Sequence, residues 1–165
     1  MLLIIALILV RMPTVQTWMA QKVATHLSKE LNTKVSIDYL SIEFFTKLNL
    51  KGFYIEDQKN DTLIYAGELK VNSRMFSPFK FQVNLKSLEL ENAYVNLKKY
   101  EGDENLNIEF LINYFATGDT TSTSEPWKIK TGSLKINNSI FSYSNLNSER
   151  TGKGFNSEYL KVYNF

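Results

Sequence analysis

The chain has no cysteine. That absence excludes disulfide frameworks, thiolate zinc sites, cysteine nucleophiles and a lipid-bearing N-terminal cysteine. There is one histidine, His26; with no second imidazole or thiol to share a metal, it reads as a surface or rim residue of a helix. Charge of one sign is nearly missing, since 19 Lys and Arg against 17 Asp and Glu leave +2, too little to argue for nucleic acid or an acidic substrate. Prolines number three, while Phe, Trp and Tyr make up 13%, a balance that leans towards β structure. No apolar run reaches the roughly 20 residues that a bilayer core requires. What is there is ordinary for a globular chain: 165 residues, 44% hydrophobic and 22% charged, enough for about one domain and incompatible with disorder throughout.

Groupings that carry chemistry are equally sparse. Glu101, Asp103 and Asn105 share the opening spacing of a calcium loop, but apolar residues follow and no Glu closes it, so they read as a solvated turn. Glu56, Asp57 and Asp61 flank a hairpin turn. Gly152-Lys153-Gly154 lacks the third glycine and the following helix of a phosphate cradle. Asn60-Asp61-Thr62 and Asn137-Asn138-Ser139 match a glycosylation sequon that matters only in a eukaryotic secretory pathway. The aromatics and lysines around Lys98-Lys99-Tyr100 and Phe79-Lys80-Phe81 alternate to opposite faces of a strand, unlike a nucleic-acid platform. No general base, nucleophile or metal cluster emerges, and no cofactor is expected.

Met1 to Val10, M-L-L-I-I-A-L-I-L-V, carries no polar residue and ends at Arg11. As a helix it spans only about 15 Å. Its residues alone admit three readings: the end of a membrane helix whose start lies upstream, an unusual signal peptide lacking a basic n-region, or an interfacial helix end. An amphipathic helix over 13–32 follows, with Pro13 in its first turn, Thr14 as a capping residue and Asn32 as a left-handed stop. Val15, Met19, Val23, Leu27 and Leu31 form its expected core stripe, and Gln16 and Lys22 lie off it. Trp18, together with Arg11, sits where a membrane interface would be.

From Lys34 the apolar period changes from 3.6 to 2. Val35 and Ile37, Leu40, Ile42 and Phe44, Leu48 and Leu50, Phe53 and Ile55, Leu69 and Val71, and the run from Phe79 to Leu97 alternate with polar residues. The pattern resumes at Trp127 and continues to Val162. This predicts about eight one-faced strands, with no helix after Asn32 beyond a possible turn over 108–115. Residues 116–126, small and hydroxyl-rich, read as a flexible loop or linker.

A repeat runs through these strands. L-N-L-K-G-F-Y-I from Leu48, L-E-L-E-N-A-Y-V from Leu88, L-K-I-N-N-S-I-F from Leu134 and L-K-V-Y-N-F from Leu160 each place Gly52, Asn92, Asn138 or Asn164 after two alternating apolar residues. Gly and Asn accept a positive φ. The apolar phase then shifts by one, as an extra residue at a β-bulge would shift it. Units that bury their face by stacking predict an elongated sheet, and a last copy stopping in mid-strand is expected of the N-terminal piece of something longer.

The order of these segments carries a resemblance. P-T-V-Q-T-W-M-A-Q-K-V-A-T-H-L-S-K-E-L, K-V-S-I, F-F-T-K-L-N-L-K-G-F-Y-I-E-D, D-T-L-I-Y-A-G-E-L-K-V and S-L-E-L-E-N-A-Y-V-N-L resemble the N-terminus of the AsmA-like family in its TamB branch, Bacteroidota type. The likeness covers most of 1–115 and, through the repeat, much of 127–165. It implies a mainly β fold: an elongated, curled, antiparallel-rich sheet forming an open hydrophobic groove. Residues 1–12 would end a single-pass anchor in the bacterial inner membrane, 34–115 would begin a periplasmic groove and 127–165 would continue it. It also implies a non-enzymatic role in moving phospholipid between inner and outer membrane and in outer-membrane protein assembly, with an outer-membrane barrel of the TamA or BamA type as partner.

One-faced strands need cover, and one helix of about 18 residues cannot roof eight of them. In a trough, lipid acyl chains would complete the core at about 0.8 kcal/mol per buried methylene. The expected lining is Leu48, Leu50, Phe53, Ile55, Leu88, Leu90, Val95, Leu97, Leu134, Ile136 and Phe141. On the pattern alone, the same residues could form the dry core of a closed sandwich. In that case the chain would be a membrane-tethered scaffold that binds protein partners by strand addition.

Overall fold

A computed structural model of the chain describes residues 11–43, 46–77, 82–117, 128–130, 132–150, 152 and 154–164. The fold is mainly β. Helix α1 (Pro13–Glu30) leads into β1 (Val35–Ser36), β2 (Tyr39–Glu43), β3 (Lys47–Glu56), β4 (Thr62–Ser77) and β5 (Gln82–Lys99). Helix α2 (Glu109–Thr117) separates these from β6 (Lys128–Lys130), β7 (Ser133–Asn137), β8 (Ile140–Asn145) and β9 (Tyr159–Tyr163). All nine strands belong to one sheet. β1 and β2 lie end to end along β3, β3 pairs with β4 and β4 with β5; β6, β7 and β8 line the other side of β5, and β9 pairs with β8.

Pairing is antiparallel except at β5, whose partners β6, β7 and β8 run parallel to it. Each residue there pairs with one 46 positions further on, from Gln82 with Lys128, through Leu88 with Leu134, to Lys99 with Asn145. Two parallel neighbours need a long crossover, usually helical. The expected turn over 108–115 is accordingly a helix, α2, inside that crossover. The linker expected over 116–126 lies outside the described residues from 118 on.

The repeat positions behave as their chemistry requires. Gly52, Asn92, Asn138 and Asn164 have φ of 60°, 53°, 47° and 55°. The device is not the one-sided bulge the pattern predicts, however. Lys51 faces Glu68 and Phe53 faces Ala66, so Gly52 is level with Gly67; Glu91 and Ala93 likewise bracket Asn92 against Gly67. β3, β4, β5 and the β7–β8 line change phase at the same rung, β4 from Leu69 to Ala66 included, and pairing keeps its register across it; Asn164 stands one place on, level with Ser139. Crowding explains the residue choice: a Cβ at Gly67 would stand 3.0 Å from that of Asn92, and one at Gly52 would strike the Asp38 side chain. Asn138 Nδ2 donates to Asn92 Oδ1 across the parallel seam.

α1 is turned differently from its sequence pattern. Pro13 does open it and Asn32 does leave it with φ 48°, but Met12 occupies the cap position and no side chain caps it. The face against the sheet is Gln16, Ala20, Ala24 and Leu31, while Met19 and Val23 are exposed. The cause is the sheet edge. Gln16 Oε1 accepts from Ile42 N at 2.7 Å and its Nε2 donates to Ile42 O. Thr17 Oγ1 bonds both Leu40 N and Leu40 O, and Ser28 Oγ bonds Val35 N and O. Polar side chains thus stand in for a neighbouring strand, and Ala20 and Ala24 let the helix come close. An edge left unpaired would invite another chain.

Among the described residues, no helix is long and apolar enough to cross a membrane. The anchor expected over 1–12 falls, but for Arg11 and Met12, outside the described residues.

Candidate functional site

The apolar positions of the strands line up as rungs across the sheet. Ile42, Leu48, Val71, Leu88 and Leu134 make one; Leu40, Leu50, Leu69, Leu90 and Ile136 make the next. Beyond the kink come Phe53, Ala66 and Ala93, then Val35, Ile55, Ile64, Val95, Phe141 and Val162, and last Leu97, Tyr143 and Leu160. The side-chain period of two would have split these sets between faces without the shared phase change.

Cover is uneven along this face. Ala24, Leu31, Val35, Ile55 and Leu63 form a buried cluster, packed by Leu27, Phe53, Ile64 and Leu97 and by Ile108, Phe110, Leu111 and Tyr114 of the crossover. A register shift after Ile55 places Leu63 in that cluster as well. Ile55 is 2% exposed, and burying each such aliphatic side chain contributes about 1.5–3 kcal/mol. The two rungs before the kink lie outside this cluster. Leu48, Leu50, Leu88, Leu90 and Ile136 are half-buried, Ile42 is 39% exposed and Leu134 is 58% exposed, while Leu40, next to α1, is buried. Val95 and Phe141 are half-buried on the same rung as Ile55.

Of the expected lining residues, Phe53, Ile55 and Leu97 therefore sit under the helices. Leu48, Leu50, Leu88, Leu90, Leu134 and Ile136 come together on the stretch that the cluster does not cover. Sequence reasoning left Leu40, Ile42, Leu69 and Val71 out of the lining, although their alternation was the signal that places them on the same rungs. Arg11 and Trp18 are exposed at the start of α1, with Trp18 59% exposed and Lys22 Nζ 5.9 Å from its ring centroid.

The opposite face is polar and paired. Lys70 Nζ lies 2.9 Å from Glu68 and 3.5 Å from Glu91, and Asn49 Nδ2 donates to Glu68 at 2.9 Å. The Lys70 and Asn49 hydrogen bonds hold the Glu68 carboxyl below its usual range.

At the helix end a polar knot ties β3, β5 and the crossover together. Asp57 is buried; its Oδ1 accepts from Lys59 N and Asp61 N, and its Oδ2 from Tyr100 Oη and Asn107 Nδ2, all at 2.8–3.0 Å. Burial pushes this carboxyl up, but Asn107, the Asp61 and Lys59 amides and Tyr100 together hold it below its usual range. Burial and Asp57 in turn push the Tyr100 hydroxyl well up. Beside the knot a surface cavity of about 510 Å³ is lined by Gln58, Lys59, Tyr100, Asp103, Asn107 and Phe110 among others. All four Asp57 contacts are internal, so the group is structural. Among the described residues no cluster of three or more His, Cys, Asp and Glu could hold a metal. No family model, curated protein or solved structure matches the chain.

Proposed function

We propose that this chain shields lipid acyl chains on the uncovered stretch of its apolar sheet face. It would do so as a periplasmic body anchored in the bacterial inner membrane, in the manner of the TamB branch of the AsmA-like family. Phospholipid passing between inner and outer membrane is the cargo. An outer-membrane barrel of the TamA or BamA type is the partner through which the chain supports outer-membrane protein assembly. The curl that would turn this face into a groove, and the anchor that would tether it, belong to this proposal. The observation that carries it is the pair of rungs around Leu48, Leu88 and Leu134 and around Leu50, Leu90 and Ile136, apolar across the sheet and left outside the helix-covered cluster. An acyl chain laid along them removes its own methylenes and theirs from water together.

The test is site-specific photocrosslinking in cells. A photoreactive residue at Leu90 or Ile136 is expected to give phospholipid adducts, and one at Ile55 none. Lipid adducts missing from both open positions would sink the proposal. A second reading, a scaffold binding protein by strand addition, is favoured by one observation: β7 pairs only with β5 and β9 only with β8 among the described residues. That reading predicts protein adducts along β7 and β9, with little lipid at Leu90.

A further inference from the structure

The exposed side of α1 has a chemistry that neither the sheet nor the apolar rungs explain. Met12, Met19 and Val23 are 47%, 46% and 55% exposed. At about 100° per residue Met19 and Val23 fall within ~40° of one another on the helix, and Met12 stands at its N-cap. Lys22 and Lys29 run down the adjoining face within ~20° of one another, Trp18 lies within ~40° of both on the side away from the stripe, and Arg11 precedes the helix. No Asp or Glu occurs before Glu30, and the ten residues preceding Arg11 carry no charged or polar side chain. The helix cannot roll to hide this stripe. Gln16, Thr17 and Ser28 are committed to the backbone of β2 and β1, beside the buried Ala20, Ala24 and Leu31, and so fix its rotation.

We propose that this face of α1 lies on an anionic bilayer surface, with Met19 and Val23 in the headgroup boundary and Arg11, Lys22 and Lys29 on lipid phosphates. An apolar stripe beside a row of cations, with an indole at the row's other margin, is the pattern of a helix lying in the interface plane. An acid-free row of cations favours anionic lipid over a protein surface of mixed charge. This inference goes beyond the acyl-chain reading. The stripe is an exposed flank of α1, separate from the strands that carry Leu90 and Ile136, so failure here leaves the crosslinks at Leu90 and Ile136 as they are, and failure there leaves this contact intact.

The absence of cysteine makes the experiment direct. Single-cysteine variants of the full chain at Met19, Val23 and Gln21 carry an environment-sensitive fluorophore and are titrated with vesicles of phosphatidylglycerol or phosphatidylcholine. The expected result is a blue shift at positions 19 and 23, none at 21, and stronger binding to phosphatidylglycerol. Lys22→Gln with Lys29→Gln should weaken that binding roughly 25-fold, about fivefold per cation, with an unchanged circular dichroism spectrum. Probes at 19 and 23 that stay in water while the chain sediments with vesicles would overturn the proposal. So would shifts indifferent to lipid charge and to the lysine variants, or a concentration-dependent shift without vesicles, which would assign the face to a second copy of the chain.

Discussion

Asp57 shows how one side chain can hold three segments. It is 1% exposed and accepts four hydrogen bonds, and the Thr33 hydroxyl donates to its carbonyl at 3.0 Å. Its carboxyl is held below the usual range, so the unfolded chain takes up a proton more readily than the folded one. The stability that it supplies is therefore fully present above the ordinary aspartate value of about 3.9 and is lost as pH falls through the lower folded value. Asp57→Asn keeps an acceptor for Lys59 N and Asp61 N but turns an amide donor towards Tyr100 and Asn107. The expected loss is roughly 2–3 kcal/mol at pH 7. Urea titrations at pH 7 and pH 3 check it: the gap between wild type and variant should narrow at the acid end. In the sequence, Asp57 was legible only as a turn residue. Its turn is real, with Asn60 at φ 63° and Asp57 N bonded to Asp61 O. Its other partners lie some 43 and 50 positions away, a reach that no local pattern encodes. Asn92 and Asn138 were legible for the opposite reason, because a positive φ is a local property that few residues accept.

At the scale of elements, the strands could be read from alternation and their neighbours could not. Period two says that a segment has one apolar face; it does not say whether the next strand runs parallel or antiparallel. The parallel seam between β5 and β7 did leave a trace, since L-E-L-E-N and L-K-I-N-N recur 46 positions apart with α2 between them, the arrangement of a crossover. The orientation of α1 was misread in part: of the stripe given to the core, Leu27 and Leu31 do pack there, but Met19 and Val23 are exposed. A helix lying along a sheet edge answers first to unpaired backbone groups, and Gln16, Thr17 and Ser28 are the residues that answer. Gln16→Leu would leave Ile42 N and O without these partners, at a cost of about 1–3 kcal/mol. Hydrogen exchange checks this at one amide: Ile42 should lose protection in the variant, while Leu50 and Leu90, inside the ladder, should keep theirs.

At the scale of the whole molecule, the two ends of one apolar face meet different fates. Past the kink, α1, α2 and the residues between them complete a conventional core. Before the kink, two rungs five residues wide run across the sheet from β2 to β7 with Leu134 and Ile42 exposed at their margins. The sequence could not separate the two regions. Ile55 and Leu50 have the same pattern, and the helix that covers Ile55 and leaves Leu50 half-buried is fixed by tertiary packing. A charge placed in each region reads the difference. Ile55→Lys buries an ammonium beside Leu63 and Ala24 with no counter-ion in that cluster, and burying a lone charge costs several kcal/mol. That variant should fail to fold. Leu90→Lys, where the face is open to water, lets the long side chain carry its charge outwards along the strands. It should cost only about 1–2 kcal/mol, mostly lost apolar contact. Thermal melts of both variants give the comparison. Equal collapse of the two would mean that a further layer roofs the Leu90 rung and that the face is a dry core throughout. A folded Leu90→Lys protein would mean that the rung meets solvent in the isolated chain, and lipid extracted with it should then fall relative to wild type.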